Sequence, residues 1–377
     1  MKNILKKHRR ALHQIPEMGF KEIKTNAYIL DILKKYSCEI IQPFPMAICA
    51  FFQCNPSKKG IPTETIAFRC DLDGLPTLEK TGLPFASTHE GYMHSCGHDG
   101  HMAMLLALAE VIDAQLDILH QNVFLLFQPA EEGGGGAERI CNTGILTQYQ
   151  VTKIYGIHLW PGIEKGVLAS KAGPMMAKTT EMDIIIKGKS AHCASAHQGV
   201  DSLYIGCQFI CEAYHMARSE ISEKEYRLLK FGKAESGTIR NVISNQTIFY
   251  GTMRCFDMKV FDFMLMRLQE IAATYERNYG CTVEIKYNAG FPPVRNDPQV
   301  FEEARDLLSR SFAFQTIETP YMQAEDFSFY LERIPGLFLF LGTGHTAPLH
   351  SECFDFDEDI LEIGLNAYLK LLQLPSL

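Results

Sequence analysis

Between residues 94 and 101 the chain reads His94-Ser95-Cys96-Gly97-His98-Asp99-Gly100-His101, with three imidazoles, a thiol and a carboxylate close together. Thiolate and imidazole are the ligands that zinc and neighbouring divalent ions prefer. The stretch is therefore a candidate metal site, although a Cys-x-His can also be the plain start of a helix. A second cluster, Gln128-Pro129-Ala130-Glu131-Glu132-Gly133, places two adjacent carboxylates after the apolar run Val123 to Phe127. Such a pair offers one group to hold a metal and one to move protons. A merely solvated turn is the poorer reading of two carboxylates that end so apolar a run.

The elements that would position these groups alternate. Thr65 to Cys70, Asn122 to Phe127 and Lys153 to His158 read as buried strands, and 101–115 as an amphipathic helix. This pattern predicts an α/β sheet covered by helices. Asp71 and Asp73, Glu131 and Glu132, and His158 stand directly at the ends of these runs. Sites in open α/β sheets form at the carboxyl ends of strands. Residues 4–36 carry helical periodicity broken at Ile15-Pro16-Glu17-Met18-Gly19-Phe20.

From about residue 177 the pattern changes to strand 182–186, helix 200–220, strands 228–235 and 246–255, helix 259–278 and strand 281–287. That order, β-α-β-β-α-β, is ferredoxin-like. A helix over 298–311, a strand over 337–341 and a helix over 358–373 complete the chain. The fold class is α/β with two domains. The larger is built from 1–176 and 291–377 around a helix-covered central sheet, and 177–290 is inserted into it.

A length of 377 residues suits two cores better than one. A net charge of −8 without a basic tract argues against nucleic acid as a partner. No apolar run approaches the roughly 20 residues that span a bilayer, and the charged N-terminus lacks the apolar core of a secretory signal. Twelve cysteines without disulfide-like spacing read as reduced thiols of a cytoplasmic protein. Cys49, Cys207 and Cys211, inside apolar segments, read as small core filler.

Seven segments occur in order: Arg69-Cys70-Asp71-Leu72-Asp73-Gly74-Leu75-Pro76, Cys96-Gly97-His98-Asp99, Gln128-Pro129-Ala130-Glu131-Glu132-Gly133, Gly156-Ile157-His158, Gly188-Lys189-Ser190-Ala191-His192, Ala324-Glu325-Asp326-Phe327 and Leu349-His350. Over essentially its whole length the chain resembles the amidohydrolase branch of the aminoacylase/carboxypeptidase metallopeptidase family. The resemblance implies two divalent metal ions (zinc, manganese, cobalt or nickel) held by Cys96, His98, Glu132, His158 and His350. On position alone His350 could equally be a surface-loop histidine. Glu131 is implied as the general base, and His192 as a stabiliser of the oxyanion. Asn241 is implied as a substrate contact, though it also reads as a turn residue between strands. Asp71 is implied to orient a ligand imidazole, and Glu325 and Asp326 to stand beside the metal pocket. His94 and His101 fall outside this ligand set. The zinc carboxypeptidase branch has a ligand histidine where this chain has Arg69. Ser190-Ala191 and Ser195-Ala196 also depart from the family's usual residues around His192 and His197.

By the same resemblance, 1–176 with 291–377 is the catalytic, metal-binding domain. The insert, 177–290, is a lid and dimerisation domain, which implies a homodimer. The implied partner is a small N-acyl amino acid. Within the branch, Arg9-Arg10-Ala11-Leu12-His13-Gln14-Ile15-Pro16-Glu17 and Thr81-Gly82-Leu83-Pro84-Phe85-Ala86-Ser87 most resemble enzymes that deacetylate N-acetyldiaminopimelate, a step supplying lysine and cell wall. Broad N-acyl-amino-acid amidohydrolases, hippurate hydrolases and auxin-conjugate hydrolases are near relatives. A true dipeptidase differs only in what sits on the carbonyl side. A metal-binding regulator without catalysis is the reading from another class. It should lack the base or a ligand, yet Glu131 and all five ligands are present.

Overall fold

Runs such as Val123-Phe124-Leu125-Leu126-Phe127 and Leu337-Phe338-Leu339-Phe340-Leu341 have no polar face, as strands covered on both sides do. In the computed structural model, which describes residues 1–54 and 64–375, both are central strands of an eight-stranded sheet. The chain first lays down β1 (Glu39–Ile41), β2 (Ile48–Phe52), β3 (Thr65–Asp71), β4 (Asn122–Gln128), β5 (Val151–Pro161) and β6 (Leu168–Ser170). It continues through β7 (Gly173–Met176) to β8 (Lys178–Lys187), β9 (Arg227–Ser236), β10 (Gln246–Cys255) and β11 (Thr282–Tyr287). It returns through β12 (Val294–Asn296) to β13 (Phe314–Thr316) and β14 (Gly336–Gly344).

The large sheet has the order β1-β2-β4-β3-β5-β14-β6-β13. Its four middle strands, β4, β3, β5 and β14, are parallel, so their carboxyl ends share one edge. β1 and β2 add antiparallel strands on one side, and β6 runs antiparallel to β14 on the other. These edge strands are short, three to five residues, and carry too little periodicity to be foreseen. His158 lies inside β5, which continues to Pro161, rather than following the strand.

The helix expected from residue 101 starts at His98. α1 (Lys2–His13), α2 (Ile23–Leu33) and α3 (His98–Ala114) precede β4. α3 is not amphipathic: every residue from His98 to Ala109 is buried. Gly97 caps it with φ of +84°, a left-handed conformation that glycine adopts without steric cost.

By packing, the chain divides into two compact units. One comprises Met1–Gly173, Arg295–Thr319 and Asp326–Leu377, and the other Pro174–Val294 with Pro320–Glu325. The expected boundaries, 177 and 290, lie a few residues inside these crossings and assign 320–325 to the larger unit. No local pattern sets that segment apart. Its backbone bonds place it in the second unit, where Tyr321 N–H donates to Met175 O at 2.9 Å.

The second unit is ferredoxin-like, with an antiparallel sheet ordered β11-β8-β10-β9 and helices Ser202–Ser219 and Met258–Tyr279. Both helices start on aspartates, Asp201 and Asp257, whose carboxylates accept first-turn amides and satisfy donors the helix cannot. Met182, Ile184, Ile186, Phe209, Phe249 and Leu268 belong to its core. Cys49 is buried as expected, but Cys207 and Cys211 are exposed. Their spacing of four puts them on the solvent face of helix Ser202–Ser219. No helix among the described residues is long and apolar enough to cross a membrane.

Candidate metal centre and active site

The carboxyl edge of the parallel strands gathers the chemistry within the first unit. β3 ends at Asp71, the loop after β4 carries Glu131 and Glu132, and β5 carries His158. His350 follows β14, and Cys96 and His98 stand at the start of α3. The ligand atoms of Cys96, Glu132 and His350 lie within 4.8 Å of one another, as do those of His98, Glu131 and Glu132. Cys96 Sγ is 3.5 Å from His158 Nε2. Glu132 Oε1 is 3.2 Å from His350 Nε2 and 4.0 Å from His98 Nε2. Glu131 and all five expected ligands thus converge.

The His98 and His158 rings are held from behind, and His350 is held by its backbone. His98 Nδ1 donates to the Asp73 carbonyl at 2.8 Å, leaving Nε2 to face the cluster. His158 Nδ1 donates to the Leu159 carbonyl at 2.7 Å, which turns its Nε2 toward Cys96. His350 has φ of +65°, and its N–H donates to Ser95 O at 2.8 Å, tying its loop to the Cys96 segment. A non-glycine residue in that region stores strain of order 1–3 kcal/mol. His101 is fully engaged: Leu159 N–H donates to its Nε2 at 2.9 Å, so its Nδ1 carries the proton given to Asp71 at 2.7 Å. That leaves no nitrogen for a metal.

Asp71, expected to orient a ligand imidazole, lies 3.8 Å from His98 Nδ1, beyond hydrogen-bond reach. Its carboxylate accepts from His101 Nδ1 and from Arg69, and the ligand ring of His98 is held by the backbone carbonyl of Asp73. Asp73 also grips the carboxylate turn, its two side-chain oxygens accepting Glu131 N–H and Glu132 N–H at 3.0 Å each. The Asp71-Leu72-Asp73 segment was legible as a strand end, but nothing in it distinguished the two aspartates.

The site is built for a cation. Burial alone would lower the His98 pKa, yet Asp71, Asp73 and Glu132 hold it up to about 10. Burial, with Glu132 and Glu131, pushes the Cys96 thiol well above its usual range. For Asp71, burial opposes ionisation, but His98, His101 and Arg69 keep its carboxyl well below the usual range. His98 Nε2 is buried with no hydrogen-bond partner among the described residues. An orphaned imidazole nitrogen, a buried thiol and carboxylates are a donor set that fits divalent ions.

His192 and Asn241 lie in the second unit on two segments joined by backbone, where His192 stands opposite Val242. Cys193 N–H donates to Asn241 O at 3.0 Å, and Ile243 N–H to Ala191 O at 2.8 Å. Both residues are exposed. Glu325 is buried at the end of that unit's 320–325 segment, while Asp326 belongs to the first unit.

The profile of peptidase family M20/M25/M40 matches residues 67–374. The chain belongs to peptidase family M20/M25/M40. It is a hydrolase that acts on an amide bond. It is 33% identical over 373 residues to the N-acetyldiaminopimelate deacetylase of Pediococcus pentosaceus, covering 97% of this chain and 95% of that one. It is 32% identical over 371 residues to the deacetylase of the same name from Oceanobacillus iheyensis, covering 98% of both. Among solved structures it resembles the Bacillus subtilis YXEP protein, described as a dinuclear metal-binding peptidase from the M20 family. That match has a TM-score of 0.86 and 29% identity, and covers 98% of this chain and 97% of that one.

In this M20 chain Arg69, where the related carboxypeptidase branch is expected to have a ligand, is instead the hub of a buried network. Its guanidinium donates to Asp71 Oδ2 at 2.7 Å, Asp326 Oδ1 at 2.8 Å and Gln128 Oε1 at 2.8 Å. Gln128 Nε2 and Ala137 N–H also donate to Asp326. Arg69→Met would leave two carboxylates without their buried cation, a change that costs about 3–5 kcal/mol. Thermal unfolding should show a large drop in midpoint. Arg69→Lys should recover little of it, because a point charge cannot fork to both acids. An unchanged midpoint in Arg69→Met would refute the hub.

Proposed function

We propose that this chain is a metal-dependent amidohydrolase that removes the acetyl group from the amino nitrogen of an N-acetyl amino acid, with N-acetyldiaminopimelate as preferred substrate. The observation that carries the chemistry is the adjacent pair Glu131 and Glu132 beside Cys96, His98, His158 and His350. The near-full-length likeness to N-acetyldiaminopimelate deacetylases supports the substrate.

Cys96, His98, Glu132, His158 and His350 would hold two divalent ions, which when bound acidify water and polarise a carbonyl. Glu131, with no place in that ligand set, accepts a proton from the attacking water as its oxygen bonds to the acyl carbon. It then delivers that proton to the amine nitrogen as the C–N bond breaks, releasing acetate and the free amine. His192 is the oxyanion donor in this reading. Ala194 N–H donates to its Nδ1 at 3.1 Å, so the neutral ring carries its proton on Nε2, the nitrogen free to donate. Asn241, next to it in the backbone pairing, is the proposed substrate contact.

His192→Ala is expected to lower kcat by about 10²–10³-fold with KM and metal content little changed, because the contact strengthens only as charge develops. Steady-state kinetics with elemental analysis read this directly, and a near-normal kcat would remove His192 from the mechanism. Should the inserted domain form the proposed homodimer, mixing His192→Ala with Glu131→Gln restores activity only when His192 serves the neighbouring chain's site.

A panel of N-acetyl-diaminopimelate, other N-acetyl amino acids, a benzoyl amino acid and a dipeptide tests the substrate. Acetate release should be fastest from N-acetyl-diaminopimelate. Faster benzoate release would point to a hippurate hydrolase, and faster cleavage of the dipeptide would overturn the deacetylase reading.

A further inference from the structure

The break between α1 and α2, Gly19-Phe20-Lys21-Glu22, has no part in the chemistry above, yet it wraps the turn that carries Glu131. Glu22 is fully buried, and its Oε1 accepts Ala130 N–H at 2.9 Å across 108 residues of sequence. With the two bonds from Asp73, three consecutive amides, those of Ala130, Glu131 and Glu132, each donate to a buried carboxylate oxygen. Ala130 itself has φ of +56°, a conformation an L-residue holds only when its surroundings impose it.

The surroundings fit its methyl group closely. A β-carbon on Gly19 would lie 2.8 Å from Ala130 Cβ, and one on Gly134 would lie 2.4 Å from Ala130 Cβ and 2.8 Å from the Phe20 ring. Glycine at both positions is what lets the connector close onto the turn. The connector is itself anchored, since the Glu17 carboxylate accepts Lys24 N–H and Thr25 N–H at 2.9 and 3.0 Å.

The geometry points to the Gly19–Glu22 connector as a positioning clamp for the catalytic turn, with Glu22 fixing Ala130 and thereby the direction in which Glu131 presents its carboxylate. This rests on Glu131 being the base. Glu22 acts through the turn and touches no reacting atom. Burial raises its carboxyl to about 7, so glutamine, a neutral isostere that keeps an acceptor for Ala130 N–H, is its matched replacement.

The test compares Glu22→Ala, Glu22→Gln and Gly19→Ala in the metal-loaded enzyme, with Glu131→Gln as reference. kcat, KM, metal content and thermal midpoint are measured for each. Gly19 has an ordinary φ, so its added methyl is not strained by its own backbone and acts by pressing on Ala130 Cβ and Cα, and this variant stands in should Glu22→Ala fail to fold. A displaced catalytic group costs up to about 10²-fold in rate. Glu22→Ala and Gly19→Ala should lose kcat toward that limit with KM little changed, and Glu22→Gln should recover most of the loss. A general structural role would instead lower the midpoint and leave kcat of the folded enzyme intact. Full kcat in Gly19→Ala and in any folded Glu22→Ala, beside an inactive Glu131→Gln, overturns the clamp alone. Equal kcat loss in Glu22→Gln and Glu22→Ala overturns the part assigned to the Ala130 bond. An active Glu131→Gln overturns the base assignment and the clamp with it.

Discussion

Stripping divalent cations from the protein with a chelator should abolish amide hydrolysis, and returning manganese, cobalt, zinc or nickel should restore it. The physical ground is the charge balance at the strand ends. Asp71, Asp73, Glu131 and Glu132 surround a buried thiol and the His98 ring, and without a cation Cys96 stays protonated. A bound divalent ion deprotonates a coordinating thiol outright, which supplies a signal independent of turnover. Cobalt add-back should give a thiolate-to-cobalt absorption band that Cys96→Ser lacks. Because an ion bound only by the folded state stabilises it by mass action, chelation should also lower the thermal midpoint. Full activity in protein shown by elemental analysis to be metal-free would overturn the metal-dependent reading.

Glu131→Gln should lower kcat by about 10²–10⁴-fold while the metal stays bound, because glutamine keeps the shape and burial of the side chain but accepts no proton. Glu132→Gln should chiefly lower metal occupancy, since Glu132 stands between His98 and His350. The two residues are chemically alike and adjacent, so their difference lies entirely in what each side chain faces. Elemental analysis alongside kinetics separates the roles. Equal metal loss in both variants would mean that they are misassigned.

Much of this was open to reading from the residues. The four parallel strands are legible because burial on both faces removes polar alternation, and the ferredoxin-like insert because its strands and helices keep their periods. The ligand set is legible because soft and hard donors cluster immediately beside those strands. The exposed pair Cys207 and Cys211 escaped, since an apolar neighbourhood in sequence does not say which side of a helix faces the core. Segment 320–325 escaped because its membership in the second unit rests on backbone bonds to residues far away in the chain.

By itself, then, the sequence determined the kinds of chemistry available and the strands that carry them, because composition and hydrophobic period are local records of burial. Only the tertiary structure decided which group holds which. It turned Asp71 to His101, gave His98 to the Asp73 carbonyl, made Arg69 the partner of Asp71 and Asp326, and brought Glu22 to Ala130. Those choices depend on atoms meeting at about 3 Å from distant parts of the chain, and on backbone angles such as that of Ala130. Residue type and spacing alone carry no trace of either.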